Sequence, residues 1–165
     1  MWWSRLLAAI AVAALLAGCG FRPLYGTAGE NRQVAAQLAQ IRIQTISDRT
    51  GQKLRNFLLD RLNPNGQPAQ PLYYLQVTIN VSRTDLGIER DETATRALLM
   101  LTANYQLIER ARKVILVEGT TQSTNSFNIV ASDFATLSAE TDATERATRE
   151  VSDDIKTRLA LYFTR

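Results

Sequence analysis

The sequence predicts an α+β two-layer sandwich, with two helices packed on one face of a mainly antiparallel four-stranded sheet in the order β-α-β-β-β-α. Three observations carry this. Two segments near the ends of the chain repeat apolar residues at helical spacing, three central segments alternate apolar and polar residues with the period of a strand, and each strand has one apolar face only. Strands of that kind suit a sheet covered by helices on one side and open on the other.

The elements follow in order. Ile41 and Ile43 alternate with Gln40, Arg42 and Gln44, which predicts a first strand over 39–46. Ser47, Asp48 and Thr50 supply helix-starting side chains, and Leu54, Phe57, Leu58 and Leu62 then fall at i, i+3, i+4 and i+8 of a helix over 51–63. Asn63-Pro64-Asn65-Gly66 ends it. Tyr73, Leu75, Val77, Ile79 and Val81 face one way along the second strand, with Gln76, Thr78, Asn80 and Ser82 on the other side. A polar connection is expected over 85–93, followed by a third strand whose Ala97, Leu99, Leu101, Ala103, Tyr105 and Leu107 oppose Thr102, Asn104 and Gln106. Residues 109–113 turn the chain into a fourth strand from Ile115 toward Ile129, polar in its far half. From Asp133 onward Phe134, Leu137, Ala147, Val151, Ile155, Leu159 and Tyr162 recur at three- and four-residue steps of a final helix.

The bare sheet face is the informative one. It collects Gln76, Thr78, Asn80, Ser82, Thr102, Asn104, Gln106, Glu118, Thr120, Gln122 and Thr124, almost all neutral. A solvent-facing sheet more often mixes in lysine and glutamate. Two readings follow: a Thr-rich solvated face, or a surface that enters another hydrated protein interior, where neutral hydrogen-bonding groups avoid the desolvation cost of charges.

At the N-terminus one basic residue, Arg5, precedes an apolar run from Leu6 to Ala17, the layout of a secretory signal peptide. The run is shorter than the roughly 17 to 25 residues a membrane-crossing helix needs. Residues 1–18 are therefore expected to be a signal peptide, 19–32 a lipidated N-terminus and tether, and 33–165 a single α+β domain. Leu16-Ala17-Gly18-Cys19 resembles the lipobox of bacterial lipoproteins, which implies lipidation of Cys19. Each buried CH₂ contributes about 0.8 kcal/mol, and two or more acyl chains hold a protein on a membrane. The absence of Asp after the cysteine, where Gly20 stands, favours the outer membrane by the same resemblance.

Composition narrows the chemistry. The chain has no histidine, which removes the commonest general base, the usual catalytic zinc sites and every Ser-His or Cys-His arrangement. The adjacent acid pairs, Asp91-Glu92 and Asp153-Asp154, read as solvated faces, and no glycine-rich phosphate loop lies between a strand and a helix. No catalytic residue, metal or cofactor is expected. A net charge of +3, with acids interspersed among bases, does not make a nucleic-acid footprint.

Cys19-Gly20-Phe21-Arg22-Pro23-Leu24-Tyr25-Gly26, the strand-helix-three-strands-helix order and the final Arg158-Leu159-Ala160-Leu161-Tyr162-Phe163 together resemble the LPS-assembly lipoproteins, the LptE or RlpB family. The resemblance implies a non-catalytic lipoprotein at the outer membrane, anchored by lipid, facing the periplasm and seated inside an LptD-like β-barrel that inserts lipopolysaccharide. It also implies help in assembling that barrel and contact with lipopolysaccharide during delivery. Within that frame Arg110, Arg112 and Lys113 are the tightest basic cluster, at a turn suited to phosphate oxygens. Arg83, Arg90 and Arg96 are second candidates. The alternative is a free periplasm-facing lipoprotein that shuttles a lipid in an apolar pocket between helices and sheet, roughly 300 Å³ or more.

Overall fold

The computed structural model describes residues 29–88 and 94–164. Residues 1–28, with the expected signal peptide, Cys19 and most of the expected tether, and residues 89–93, with Arg90, Asp91 and Glu92, lie outside the described residues.

Seven elements follow one another: α1 (Gly29–Ala39), β1 (Ile41–Ile43), α2 (Asp48–Leu62), β2 (Tyr73–Ile88), β3 (Ala94–Glu109), β4 (Ile115–Asn128) and α3 (Asp133–Phe163). The strands form one sheet in the order β1-β2-β3-β4. β1 runs parallel to the start of β2, while β2, β3 and β4 are antiparallel neighbours. This is the expected α+β arrangement with one more helix, α1, ahead of β1. That helix was hidden because, among its described side chains, Val34 and Leu38 alone are buried, an i, i+4 pair too sparse to read as a stripe.

β1 is shorter than expected. Gln44 leaves the strand after donating its backbone N–H to Leu75 O at 2.9 Å. β2 is longer and runs into the stretch expected to be a connection, as far as Ile88. Its ladder with β3 continues to Ile88↔Ala94, passing Gly87 at φ 70°. Glycine adopts that left-handed conformation without a Cβ clash, so a turn-forming residue here sits inside a strand.

The core lies between the sheet and the helices. Leu75 and Val77 of β2, Ala97 to Leu107 at alternate positions of β3, and Leu54, Leu58 and Leu62 of α2 are buried, together with Val151, Ile155 and Leu159 of α3. Gly51 allows α2 to close on the loop before it, since a Cβ there would lie 2.7 Å from Ile46 Cγ2. Three expected core residues lie outside the buried core. Phe57 is half-buried and stacked by two guanidinium groups, Arg61 at 5.4 Å and Arg149 at 5.3 Å from the ring centroid. Phe134 and Leu137 are 80% and 62% exposed. α2 is tied to the second half of α3, where Arg149 stacks on Phe57 and Asp153 pairs with Arg61.

Candidate functional site

The open sheet face is built by strict alternation across three strands. The register stacks Gln76, Gln106 and Glu118 in one rung, Thr78, Asn104 and Thr120 in the next, then Asn80, Thr102 and Gln122, then Ser82, Met100 and Thr124. Every one of these side chains except Thr102 and Gln106 is classed as exposed, and those two are half-buried. The face expected from the sequence is therefore present, with Met100 its one apolar member and Glu118 its one charge.

Two hydrogen bonds tie the strands together on this face: Thr120 Oγ1 donates to Asn104 Oδ1 at 2.7 Å, and Gln106 Nε2 donates to Glu118 Oε2 at 3.3 Å. Among the described residues, the side chains of Gln76, Thr78, Asn80, Thr102 and Gln122 make no hydrogen bond to a protein group. They are free to exchange water for a partner. The two upper rungs enclose a shallow depression of about 530 Å³ lined by Gln76, Thr78, Asn104, Gln106, Glu118 and Thr120. Behind it Tyr105 crosses over Gly119 on the helix side, where an added Cβ would lie 2.7 Å from Tyr105 Oη. Burial is the largest effect on the Tyr105 phenol and pushes its pKa up, opposed by a hydrogen bond from Arg158.

The polar far half of β4 has a second cause on its inner face. Thr121 and Ser123 are buried there. Ser123 Oγ donates to Glu150, Asn125 Nδ2 donates to Ser123 Oγ at 2.8 Å, and Arg146 Nε donates to Asn125 Oδ1 at 3.2 Å. α3 thus docks on β4 through hydrogen bonds where β3 offers it leucines. Both faces of β4 are polar for different reasons.

The basic cluster sits at the β3–β4 turn. Lys113 N donates to Glu109 O and Glu109 N to Val114 O, both at 2.9 Å, with Lys113 in the left-handed region at φ 54°. Arg110, Arg112 and Lys113 are all exposed. Arg112 is ion-paired to Glu109 at 2.8 Å, whereas Arg110 and Lys113 have no ion pair among the described residues. Arg110 N donates to Leu72 O at 2.9 Å, which brings Leu72 to the turn. Leu72, Val114 and Ile115 are 51%, 43% and 50% exposed, so free cations and bare aliphatics share one end of the sheet. Sequence reading picked out the cations but not this apolar company, whose signal is the Pro71-Leu72 and Val114-Ile115 pairs beside polar turns.

The second-choice arginines lie elsewhere. Arg83 is held by Asp85 at 2.8 Å and Glu140 at 2.9 Å and covers the Phe127 ring at 5.3 Å, so it serves the fold. Arg96 pairs across the sheet with Leu86 and Asn128, at the opposite end from the basic turn. Arg90 and Cys19 lie outside the described residues. Asp153 and Asp154 form ion pairs with Arg61 and Arg158 on helix surfaces. Among the described residues no cluster of acids could hold a metal ion, and no helix is long and apolar enough to cross a membrane.

A two-layer α+β unit that offers a broad neutral sheet face and an amphiphilic sheet end has the features of an accessory binding module. The LptE lipopolysaccharide-assembly model matches residues 38–159, and the chain belongs to that family. The family is one of non-catalytic, outer-membrane-associated lipoproteins acting in lipopolysaccharide assembly. An uncharacterized protein of Rickettsia prowazekii is 25% identical over 156 residues, covering 94% of this chain and 96% of that one. Among solved structures, a candidate lipoprotein of Caulobacter crescentus CB15 superposes with a TM-score of 0.68 at 22% identity, covering 82% of this chain and 98% of the other. A minor lipoprotein of Acinetobacter baumannii gives 0.60 at 19% identity over 74% and 92% of the two chains. Rare lipoprotein B of Shewanella oneidensis gives 0.54 at 13% identity over 73% and 92%. At these identities the superpositions speak for the fold.

Proposed function

We propose that this chain is the non-catalytic partner of an LptD-like outer-membrane β-barrel that inserts lipopolysaccharide, and that it docks by its neutral sheet face into the hydrated barrel interior. The observation that carries the reading is the four-rung face with one charge. A charged side chain moved into a confined interior loses hydration worth several kcal/mol unless it finds a partner, while an amide or hydroxyl replaces one hydrogen bond by another. In the same reading residues 1–18 are removed, Cys19 carries the lipid, 19–32 form the tether and 33–165 the docking domain. Arg110, Arg112 and Lys113 contact lipopolysaccharide, the cations meeting phosphates and Leu72, Val114 and Ile115 meeting acyl chains.

The test is co-purification from detergent-solubilised membranes with a photo-crosslinking residue at Thr102, in the middle of the face. Crosslinking to a large barrel protein is the expected result, and recovery of the chain with no such partner would overturn it. Replacing Arg110, Arg112 and Lys113 together by Ser is expected to weaken lipopolysaccharide binding, most strongly at low ionic strength; unchanged affinity there removes the turn from the site. Cys19→Ser is expected to block incorporation of labelled fatty acid. The lipid-carrier alternative requires an apolar cavity between helices and sheet. The depressions described in this structure lie open on the surface among mainly polar side chains.

A further inference from the structure

Six arginines, Arg61, Arg83, Arg112, Arg146, Arg149 and Arg158, are each ion-paired with a carboxylate. Arg42 of β1 and Arg55 of α2 are not, among the described residues, and both line one open depression. Its volume is about 670 Å³, and Ile43, Gln44, Thr45 and Gln67 complete the wall. Among the described residues no carboxylate lines it. Arg42 is held in place by neutral acceptors, its Nη2 donating to Pro68 O at 2.8 Å and Ala69 O at 3.3 Å, so its charge is oriented but uncompensated. Arg55 Nε is buried and has no hydrogen-bond partner. A buried charged donor left unsatisfied carries a desolvation cost, which an oxyanion in the depression drawing the Arg55 guanidinium toward it would offset.

From these features we infer that the Arg42–Arg55 depression is a phosphate site. Two guanidinium groups match the charge of a phosphate monoester, the Gln44 and Gln67 amides and the Thr45 hydroxyl can donate to its remaining oxygens, and the open mouth admits a phosphate carried on a larger molecule. The site does not rest on the docking reading above. It lies at the β1 edge, on side chains that the neutral face does not include. A free phosphate and a lipid headgroup offer the same oxyanion, and the experiment separates the two.

The full-length chain in dodecyl-maltoside micelles, labelled with ¹⁵N-arginine, allows the Nε–H signals of Arg42 and Arg55 to be assigned through Arg42→Lys and Arg55→Lys. Inorganic phosphate added at constant ionic strength is expected to move the Arg55 signal saturably, with chloride moving it little. If only micelles doped with phosphatidic acid produce the shift, the proposal stands with a lipid headgroup as the source. Arg55→Gln is expected to weaken binding about tenfold or more, as loss of a charge-assisted pair does. Gln67→Glu keeps both arginines, places a carboxylate in the depression and is expected to abolish the saturable shift while far-UV dichroism stays unchanged. The absence of a saturable shift with both probes overturns the site, as does an unchanged shift in folded Gln67→Glu. Failure here leaves the barrel crosslink from Thr102 unaffected, so the two readings fail separately.

Discussion

Asn104→Asp tests the neutral face with almost no change of shape. Asn104 lies in the second rung between Thr78 and Thr120, exposed, with its Oδ1 accepting from Thr120 Oγ1 at 2.7 Å. An aspartate keeps that acceptor, so the isolated chain should lose no more than about 0.5 kcal/mol, the usual range for an exposed position. Glu118 is the nearest charge on the face, one rung away, and water screens the pair in the free protein. In the complex the same carboxylate has to shed water beside neutral walls. A buried, unpaired charge at an interface costs about 2–5 kcal/mol, and at 1.4 kcal/mol per decade even 2 kcal/mol is a loss of about 30-fold in affinity. The assay compares urea unfolding of the purified variant with recovery of the barrel partner on the tagged chain. Unchanged unfolding with recovery cut by at least about tenfold is expected. A folded variant that retains its barrel partner at full strength would refute docking through this face.

Three further perturbations test the scaffold. Gly119→Ala drives a methyl to 2.7 Å from Tyr105 Oη and 2.9 Å from its Cζ, against a ring that is 3% exposed; about 1–3 kcal/mol should be lost in urea unfolding, and most of it should return in the double variant with Tyr105→Leu. Additive losses in that cycle would contradict the contact. The Asp153 carboxyl is held below its ordinary value first by the hydrogen bond from Arg61, with burial opposing. A carboxyl with a depressed folded pKa stabilises above its ordinary value near 3.8 and loses that contribution as pH falls through the folded value. Because Asp153 is 59% exposed, Asp153→Asn should cost only roughly 0.2–1 kcal/mol at pH 7, and thermal melting should show the gap closing below about pH 4. Phe134→Ser should change stability by less than about 0.5 kcal/mol despite removing an aromatic ring, since Phe134 is 80% exposed, whereas Leu101→Ala at 0% exposure should cost about 2–5 kcal/mol in the same urea series. Comparable losses for the two would mean that α3 begins against the core.

Period carried most of the fold. β2, β3 and the α2 stripe were legible because burial on one side writes apolar residues at every second or every third and fourth place. The neutral face was legible for the same reason, as the complement of that pattern. Where burial is partial the pattern loses meaning: α1 covers little more than Val34 and Leu38, and Phe134 and Leu137 repeat at helical spacing on the exposed side of α3. Gly87 misled in the opposite direction, since a left-handed glycine marks a turn and a strand irregularity equally well. The Arg42–Arg55 depression could not be read at all. One arginine lies on a strand and the other on the following helix, and what distinguishes them from the paired arginines is the absence of a carboxylate in space.

The proportions of the helical layer bear on the proposed docking surface. At 1.5 Å per residue the 31-residue α3 is about 46 Å long, and the 15-residue α2 spans about half of that. A cation–π contact from Arg149 and an ion pair from Asp153 join the two, and β1 reaches only the first three residues of β2. One end of the sheet is therefore closed by α2, β1 and the leucines of β2 and β3. At the other end Val81, Leu86, Phe134 and Leu137 stand exposed, and β2 continues without a neighbour on its outer edge among the described residues. The long β2–β3 hairpin keeps all four neutral rungs on one continuous face, backed on β3 by the buried Leu99, Leu101 and Ala103, so the packed core holds in register the hydrogen-bonding face that the proposed docking requires.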